Sequence, residues 1–197
     1  MASYSLPTEI EFDDGSVFPI RERGDFRMVL DCFEILNDQE LTKEERLMTS
    51  LIVFLEDFET MEDLSRLPSI EEAVMKMNLF FNCGEPVFES DVEKPKLIDW
   101  EQDSVLIFSA VNNVAGREIR LDEYLHWWTF IGYYMAVGES SLATVVGIRS
   151  KIAKNKPLEK YEKEFKRENP KYFSNVYKTA KQLEDDELVK SLWNSID

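Results

Sequence analysis

Residues 121–134 read Leu-Asp-Glu-Tyr-Leu-His-Trp-Trp-Thr-Phe-Ile-Gly-Tyr-Tyr, a stretch that holds six aromatic residues and the chain's only histidine. At helical spacing, its apolar side chains cover most of the circumference. The predicted apolar face consists of Leu121, Tyr124, Leu125, Trp128 and Met135. The polar stripe consists of Asp122, His126, Thr129 and Tyr133. A helix that is apolar over so wide an arc belongs at the centre of a core.

The composition of the chain provides enough apolar material to surround such a helix. It has 197 residues, of which 44% are hydrophobic, and this suits one domain or one domain with a helical appendage. Only seven glycines and seven prolines interrupt it, so long helices are easily accommodated. We therefore predict a mostly α fold: a compact multi-helix domain of at least six helices, with a small N-terminal β-hairpin and a charged helical C-terminal extension.

The hairpin is predicted over residues 8–20, where apolar and polar residues alternate around Asp14-Gly15. This dipeptide favours a type I′ turn, in which both central residues have positive φ. Pro19 restricts the second strand to a sheet edge, because proline has no N–H to donate.

Helix boundaries are predicted from capping residues. Starts are expected where an oxygen-bearing side chain precedes an apolar period, in two cases with a glutamate three residues later. These starts are Asp25, Thr42 with Glu45, Ser69 with Glu72, Asp99 with Gln102, and Ser140 or Ser141. Glycines 84, 116 and 138 are expected to end helices. The predicted core includes Phe33, Leu51, Phe54, Phe81, Phe108, Leu125, Trp128 and Ile131.

Charge divides the chain into two parts. The formal net charge is −16, and residues 1–150 hold 12 basic against 30 acidic residues, whereas residues 151–197 hold 11 against 9. So acidic a body repels phosphate backbones, which disfavours general binding of nucleic acid. We predict an acidic helical domain over 1–155, including the hairpin, and a charged helical tail over 156–197 that is jointed at its prolines.

A basic run at the junction is the candidate surface for a partner or for self-association. It consists of Arg149, Lys151, Lys154, Lys156, Lys160, Lys163, Lys166 and Arg167. One interpretation is a solvated helix face. The other is contact with an acidic partner, including the acidic body of another copy.

Catalytic machinery is not predicted. One histidine excludes a two-histidine metal site, and Cys32 and Cys83 lack metal or redox spacing, so they are interpreted as reduced, buried thiols. Asp122 and His126 lie one helical turn apart, as a base and its orienting carboxylate would, but apolar neighbours favour a structural role. We predict no catalytic, cofactor or metal site. Without a leader or an apolar run of membrane length, the protein is expected to remain in the cell that makes it.

Five short segments, in this order, carry a resemblance to a known family. They are Asp25-Phe26-Arg27, Phe80-Phe81-Asn82-Cys83-Gly84, Asp99-Trp100-Glu101-Gln102-Asp103, Glu123-Tyr124-Leu125-His126-Trp127-Trp128 and Gly147-Ile148-Arg149-Ser150. Together with the hairpin and the Lys-rich tail, they resemble the tail assembly chaperones that siphophages and prophages of Gram-positive bacteria encode next to the tape-measure gene.

The resemblance implies a non-catalytic helical protein that binds the tape-measure protein, keeps it soluble and helps to recruit tail-tube subunits. Relatives are often made in two lengths by ribosomal frameshifting, and the longer form carries the tube-binding part. The protein would act as a homo-oligomer in the host bacterial cytoplasm and would be absent from the mature virion. Two other hypotheses remain: an acidic adapter or nucleic-acid mimic that inhibits a basic host or phage protein, and an enzyme centred on Asp122 and His126.

Overall fold

The computed structural model of the chain describes residues 5–86 and 97–173. Residues 87–96 and the part of the predicted tail after residue 173 lie outside these ranges. The regular elements are β1 (Glu9–Glu11), β2 (Val17–Pro19), α1 (Phe26–Asn37), α2 (Lys43–Phe54), α3 (Ile70–Phe81), α4 (Ser104–Ala115), α5 (Trp127–Met135), α6 (Ser141–Ala153) and α7 (Lys160–Glu168). The prediction of a mostly α fold with a small N-terminal hairpin is confirmed.

The chain divides into two compact units. Of the described residues, the first unit holds 5–86 and 123–131, and the second holds 97–122 and 132–173. Helix α5 begins in the first unit and ends in the second. The division into a domain over 1–155 and a tail over 156–197 stays a prediction, because the tail is described only as far as Phe173. None of the described helices is both long enough and apolar enough to cross a membrane.

Most helix caps form where the sequence predicts them. The Thr42 hydroxyl accepts the Glu45 N–H while the Glu45 carboxylate accepts the Thr42 N–H, the reciprocal pair of a capping box. The Ser140 hydroxyl caps α6, and Gly116 ends α4 in the left-handed region at φ 69°. Helix α4 begins later than predicted, at Ser104, because residues 99–103 form a separate turn in front of it.

The hairpin turn differs from the prediction. Of the two central residues, only Gly15 has positive φ, at 85°. The loop therefore has three residues, with a type I turn followed by a left-handed glycine, instead of a type I′ turn. The Asp14 carboxylate accepts both the backbone N–H and the hydroxyl of Ser16, which fixes the turn and lowers the pKa of Asp14.

Glu72 connects the hairpin to α3. Ser69 accepts the Glu72 N–H as predicted, but the Glu72 carboxylate does not reach back to Ser69. It accepts the backbone N–H of Asp13 at 2.7 Å, and Lys76 lies between the two carboxylates, 3.2 Å from Asp13 and 3.4 Å from Glu72. Because an isolated two-stranded hairpin is marginal in water, these contacts contribute to holding it on the helix.

The core of the first unit contains three of the predicted residues. Leu51 and Phe54 are fully buried, and Leu125 is 6% exposed. Phe33, Phe81, Trp128 and Ile131 are only half-buried, and their neighbours Cys32, Phe80, Trp127 and Phe130 take the central places. The error is a rotation of about one residue, which moves a helix face by about 100°.

The second unit has a smaller described core. It consists of Ile107, Ala110, Val111, Ile119, Leu142, Val145, Ile148 and Tyr172. Phe108, a predicted core residue, is half-buried, with the Arg120 guanidinium 5.0 Å above its ring. Leu121 and Met135, predicted to lie on the buried face of the aromatic helix, are 83% and 77% exposed.

Candidate functional site

The aromatic segment becomes helical only at Trp127, because Asp25 holds the residues before it in an extended conformation. The Leu125 N–H donates to the Asp25 carboxylate at 2.8 Å, and the Leu125 carbonyl accepts the Phe26 N–H at 3.0 Å. Asp25 also caps α1 by accepting the Arg27 N–H, and its carboxylate pairs with the Arg27 guanidinium at 2.9 Å. The buried Asp25 carboxylate therefore caps α1, pairs with Arg27 and binds the backbone of the aromatic segment at Leu125.

His126 has a structural position at the start of α5. It is 1% exposed, its Nε2 lies 2.8 Å from the Pro7 carbonyl, and its Nδ1 accepts the Trp128 N–H at 3.0 Å. These contacts select the neutral ring with its proton on Nε2. Burial lowers the pKa of His126. The Asp122 carboxylate binds the Arg117 guanidinium at 2.8 Å.

The two tryptophans cap the C-terminus of α3. The indole N–H of Trp127 donates to the Phe81 carbonyl and that of Trp128 donates to the Phe80 carbonyl, each at 2.9 Å. The last carbonyls of a helix lack partners further along the helix, and the Trp127 indole supplies one for Phe81. The Phe80 carbonyl accepts the Cys83 N–H at 3.1 Å as well as the Trp128 indole. Gly84, which follows at φ 82°, lies against the Trp128 ring and leaves no room for a side chain without movement of that ring.

A buried ion pair organises the second unit. The guanidinium of Arg149 and the carboxylate of Asp103, 1% and 0% exposed, bind through two hydrogen bonds. The remaining Arg149 donors bind the carbonyls of Leu97 and Tyr172, and Asp103 also accepts the Asp99 N–H. Because every group is satisfied, the pair avoids the penalty of an uncompensated buried charge.

Of the eight residues of the predicted basic surface, one is buried, one is half-buried and six are exposed. Arg149 is buried inside the second unit, so its assignment to a surface is wrong. On α6 it lies on the same inward face as the buried Leu142 and Val145. That apolar spacing is a signal that could have revealed its burial. Lys151 is half-buried and binds Glu162 at 2.7 Å. The exposed members are Lys154, Lys156, Lys160, Lys163, Lys166 and Arg167. Their role as a partner surface stays a prediction.

Apolar side chains on the outside were not predicted. Met61, Met75 and Met135 are 51%, 45% and 77% exposed, and Leu79 lies one turn beyond Met75 on α3. Methionine is flexible and polarisable, and it is used where a surface must fit apolar partners of varied shape.

Of the two thiols predicted to be buried, Cys32 is buried and Cys83 is half-buried. Burial raises the pKa of Cys32 to about 12 and that of Cys83 to about 11, which keeps both as thiols near neutral pH. Within residues 5–86 and 97–173, no group of three His, Cys, Asp or Glu side chains is placed to hold a metal ion.

The five segments that carry the resemblance contribute to two groups of contacts described above, one in each unit. Asp25, Phe80–Gly84 and Leu125–Trp128 meet in the first unit, whereas Asp103 and Arg149 meet in the second. A family model described as "Bacteriophage Gp15 protein" matches residues 5–174. The chain belongs to the bacteriophage Gp15 family. Comparisons with curated proteins and with solved structures found no match.

Membership of the Gp15 family makes this a bacteriophage protein of the structural or assembly-related class. It confirms the phage origin that the resemblance implied. The segments that carry the resemblance supply buried residues of this Gp15 protein, among them Phe26, Trp127 and Arg149, and they also contain exposed residues such as Asn82 and Glu101.

Proposed function

We propose that the protein is a tail assembly chaperone that binds the tape-measure protein, keeps it soluble and helps to recruit tail-tube subunits without catalysis. It would act in the host bacterial cytoplasm as a homo-oligomer and leave before the virion is complete. A longer frameshifted form would provide the contact with the tube protein.

The observation that carries this proposal is the set of exposed methionines on an acidic helical protein of the Gp15 family. A tape-measure protein is long, helical and apolar, so a chaperone for it needs adaptable apolar contacts. Negative charge around those contacts makes chaperone–tape-measure complexes repel one another, which keeps them in solution.

The interior polar groups support a role without catalysis. Both ring nitrogens of His126 are engaged, Asp103 and Arg149 satisfy each other, and Cys32 is buried. Each of these groups would have to break structural contacts before it could reach a substrate. Among the described residues, the side chains of Met61, Met75 and Met135 are exposed and can contact another molecule.

Co-expression with the tape-measure protein of the same phage tests the proposal. The native chain should raise the soluble fraction of the tape measure and co-purify with it. The triple variant Met61→Ser, Met75→Ser, Met135→Ser should lose most of this effect. The matched control with leucine at the same three positions should retain it, because leucine keeps the apolar surface.

Three further results bear on the proposal. A tape measure that remains insoluble beside the native chain would contradict it. Capture of a basic DNA-binding protein in place of the tape measure would favour the inhibitor hypothesis. Mass spectrometry of purified virions should find no Gp15 chain, whereas a stoichiometric amount would make it a virion component.

A further inference from the structure

The outward face of α7 is a cluster of positive charge. Lys160, Lys163 and Arg167 are exposed and share one side of the helix at i, i+3 and i+7 spacing. Lys154 and Lys156 are exposed in the turn before it. We name these five residues the α7 face.

Helix α7 holds four basic and three acidic residues, and of the acidic ones Glu164 and Glu168 are exposed whereas Glu162 is buried. Glu162 lies on the inward side of α7, only 4% exposed, where it binds Lys151 and accepts the Glu159 N–H. Of the five cations, only Arg167 forms an ion pair with another described residue, Glu164, at 3.3 Å. In a chain with 39 acidic and 23 basic residues, clustered lysines without ion pairs among the described residues mark a surface that suits an external carboxylate partner.

The first unit carries a surface of the opposite sign. Residues 56–63 read Glu-Asp-Phe-Glu-Thr-Met-Glu-Asp, with five acidic residues and no basic one. Asp57, Glu59 and Glu62 are exposed, make no ion pair with any described residue, and flank the exposed Met61 in sequence. We name these four residues the acidic edge. One basic residue, Arg66, reaches this segment, where it donates to the Asp57 carbonyl at 2.9 Å and pairs with Asp63 at 3.8 Å.

The acidic edge has a fixed shape before any partner binds. The Asp63 carboxylate accepts the N–H groups of Glu59 and Thr60, and the Glu56 carboxylate accepts the Glu22 N–H. Two of the five acidic residues therefore hold the backbone while the other three face outward. Such pre-organisation lowers the entropy cost of binding.

We infer that the α7 face of one copy binds the acidic edge of a second copy of this chain. The charges are complementary, and the aliphatic stems of the lysines can cover Met61 while their ammonium groups meet the carboxylates. Because the two surfaces are different parts of the chain, the contact is head-to-tail and can repeat into a ring or an open array. This inference rests on the homo-oligomer of the proposed function and names the surfaces that form it.

Charge reversal of each surface in the full chain tests the inference by light scattering and sedimentation. The native chain should associate in about 0.05 M salt and dissociate in about 0.5 M, because exposed charges are screened. Lys160→Glu, Lys163→Glu, Arg167→Glu should be monomeric, as should Asp57→Lys, Glu59→Lys, Glu62→Lys. An equimolar mixture of the two variants should associate again, because each restores one complementary pair.

A matched control separates the surface effect from net charge. Glu34→Lys, Glu40→Lys, Glu139→Lys changes three exposed acidic residues elsewhere by the same total charge as the reversal of the acidic edge and should associate like the native chain. The inference is overturned if the native chain is monomeric at low salt, if reversal of the acidic edge leaves association intact, or if the mixture stays monomeric. Binding of the tape measure by a monomeric native chain would refute this inference together with the proposed homo-oligomer, and would leave the proposed tape-measure chaperone role standing.

Discussion

Replacing Trp127 with alanine should destabilise the protein more than replacing its neighbour Trp128. Trp127 is 1% exposed, with its ring 5.5 Å from Phe130 in a stack and 5.6 Å from Phe33 edge to face. Removing an aromatic side chain from such a site costs about 3–5 kcal/mol of unfolding free energy. Trp128 is half-buried, so its loss should cost about 1 kcal/mol of apolar burial and about 1 kcal/mol for its hydrogen bond to Phe80.

Urea unfolding followed by far-ultraviolet circular dichroism measures both changes, with the native chain as reference. Trp127→Phe adds a control, because it keeps a ring but removes the donor to the Phe81 carbonyl; about 1–3 kcal/mol should be lost. Equal costs for Trp127→Ala and Trp128→Ala, or a cost below about 1 kcal/mol for Trp127→Ala, would refute the assignment of Trp127 to the centre of the unit.

Three other perturbations test the same structure. Gly24→Ala should lower the free energy of unfolding by about 2–4 kcal/mol in thermal melts, since φ is 78° and the added carbon would lie 2.6 Å from Phe80. The control Gly132→Ala should be stabilising, because Gly132 lies inside a helix with open space around it. Arg149→Met should cost about 3–5 kcal/mol in urea, because it leaves a buried carboxylate unpaired; an unchanged midpoint would contradict the ion pair's role. The pKa of His126 is lowered by burial, so the unfolded chain takes up its proton first and stability should fall as pH drops below about 6.5. The variant His126→Gln should show a flatter dependence over this range, and an identical slope would exclude this residue as the cause.

Helix starts and ends were the features best predicted from sequence. Thr42 with Glu45, Ser140 and Gly116 all act within a few residues of themselves, and the structure confirms each. A cap depends on the spacing between a side chain and a nearby backbone group, and that spacing is written in the local sequence. Ser69 and Glu72 show the limit of prediction from local spacing. The Ser69 hydroxyl caps α3 as predicted, but the Glu72 carboxylate binds the hairpin at Asp13 instead of the Ser69 N–H.

The candidate site was predicted less well, because its residues are distinguished only by distant contacts. In the sequence, Arg149 differs from Lys154 only in having apolar residues at helical spacing near it. Because both residues belong to one run of basic residues, this difference was overlooked. The structure pairs Arg149 with Asp103, which lies 46 residues away, and leaves Lys154 exposed. The acidic edge was not predicted at all, because acidic residues occur throughout the first 150 residues and only the structure shows which of them face outward.

The sequence by itself determined the mostly helical composition, most of the helix caps and the separation of charge, since each depends on short-range spacing or on composition. Tertiary structure decided that Asp25 keeps residues 124–126 out of the helix, that Trp127 and not Trp128 occupies the core, and that Arg149 is buried. The physical reason is that rotating a helix by one residue leaves its local conformational preferences unchanged but gives its side chains different distant partners. The free energy of packing and hydrogen bonding with those partners therefore selects which face of the helix is buried.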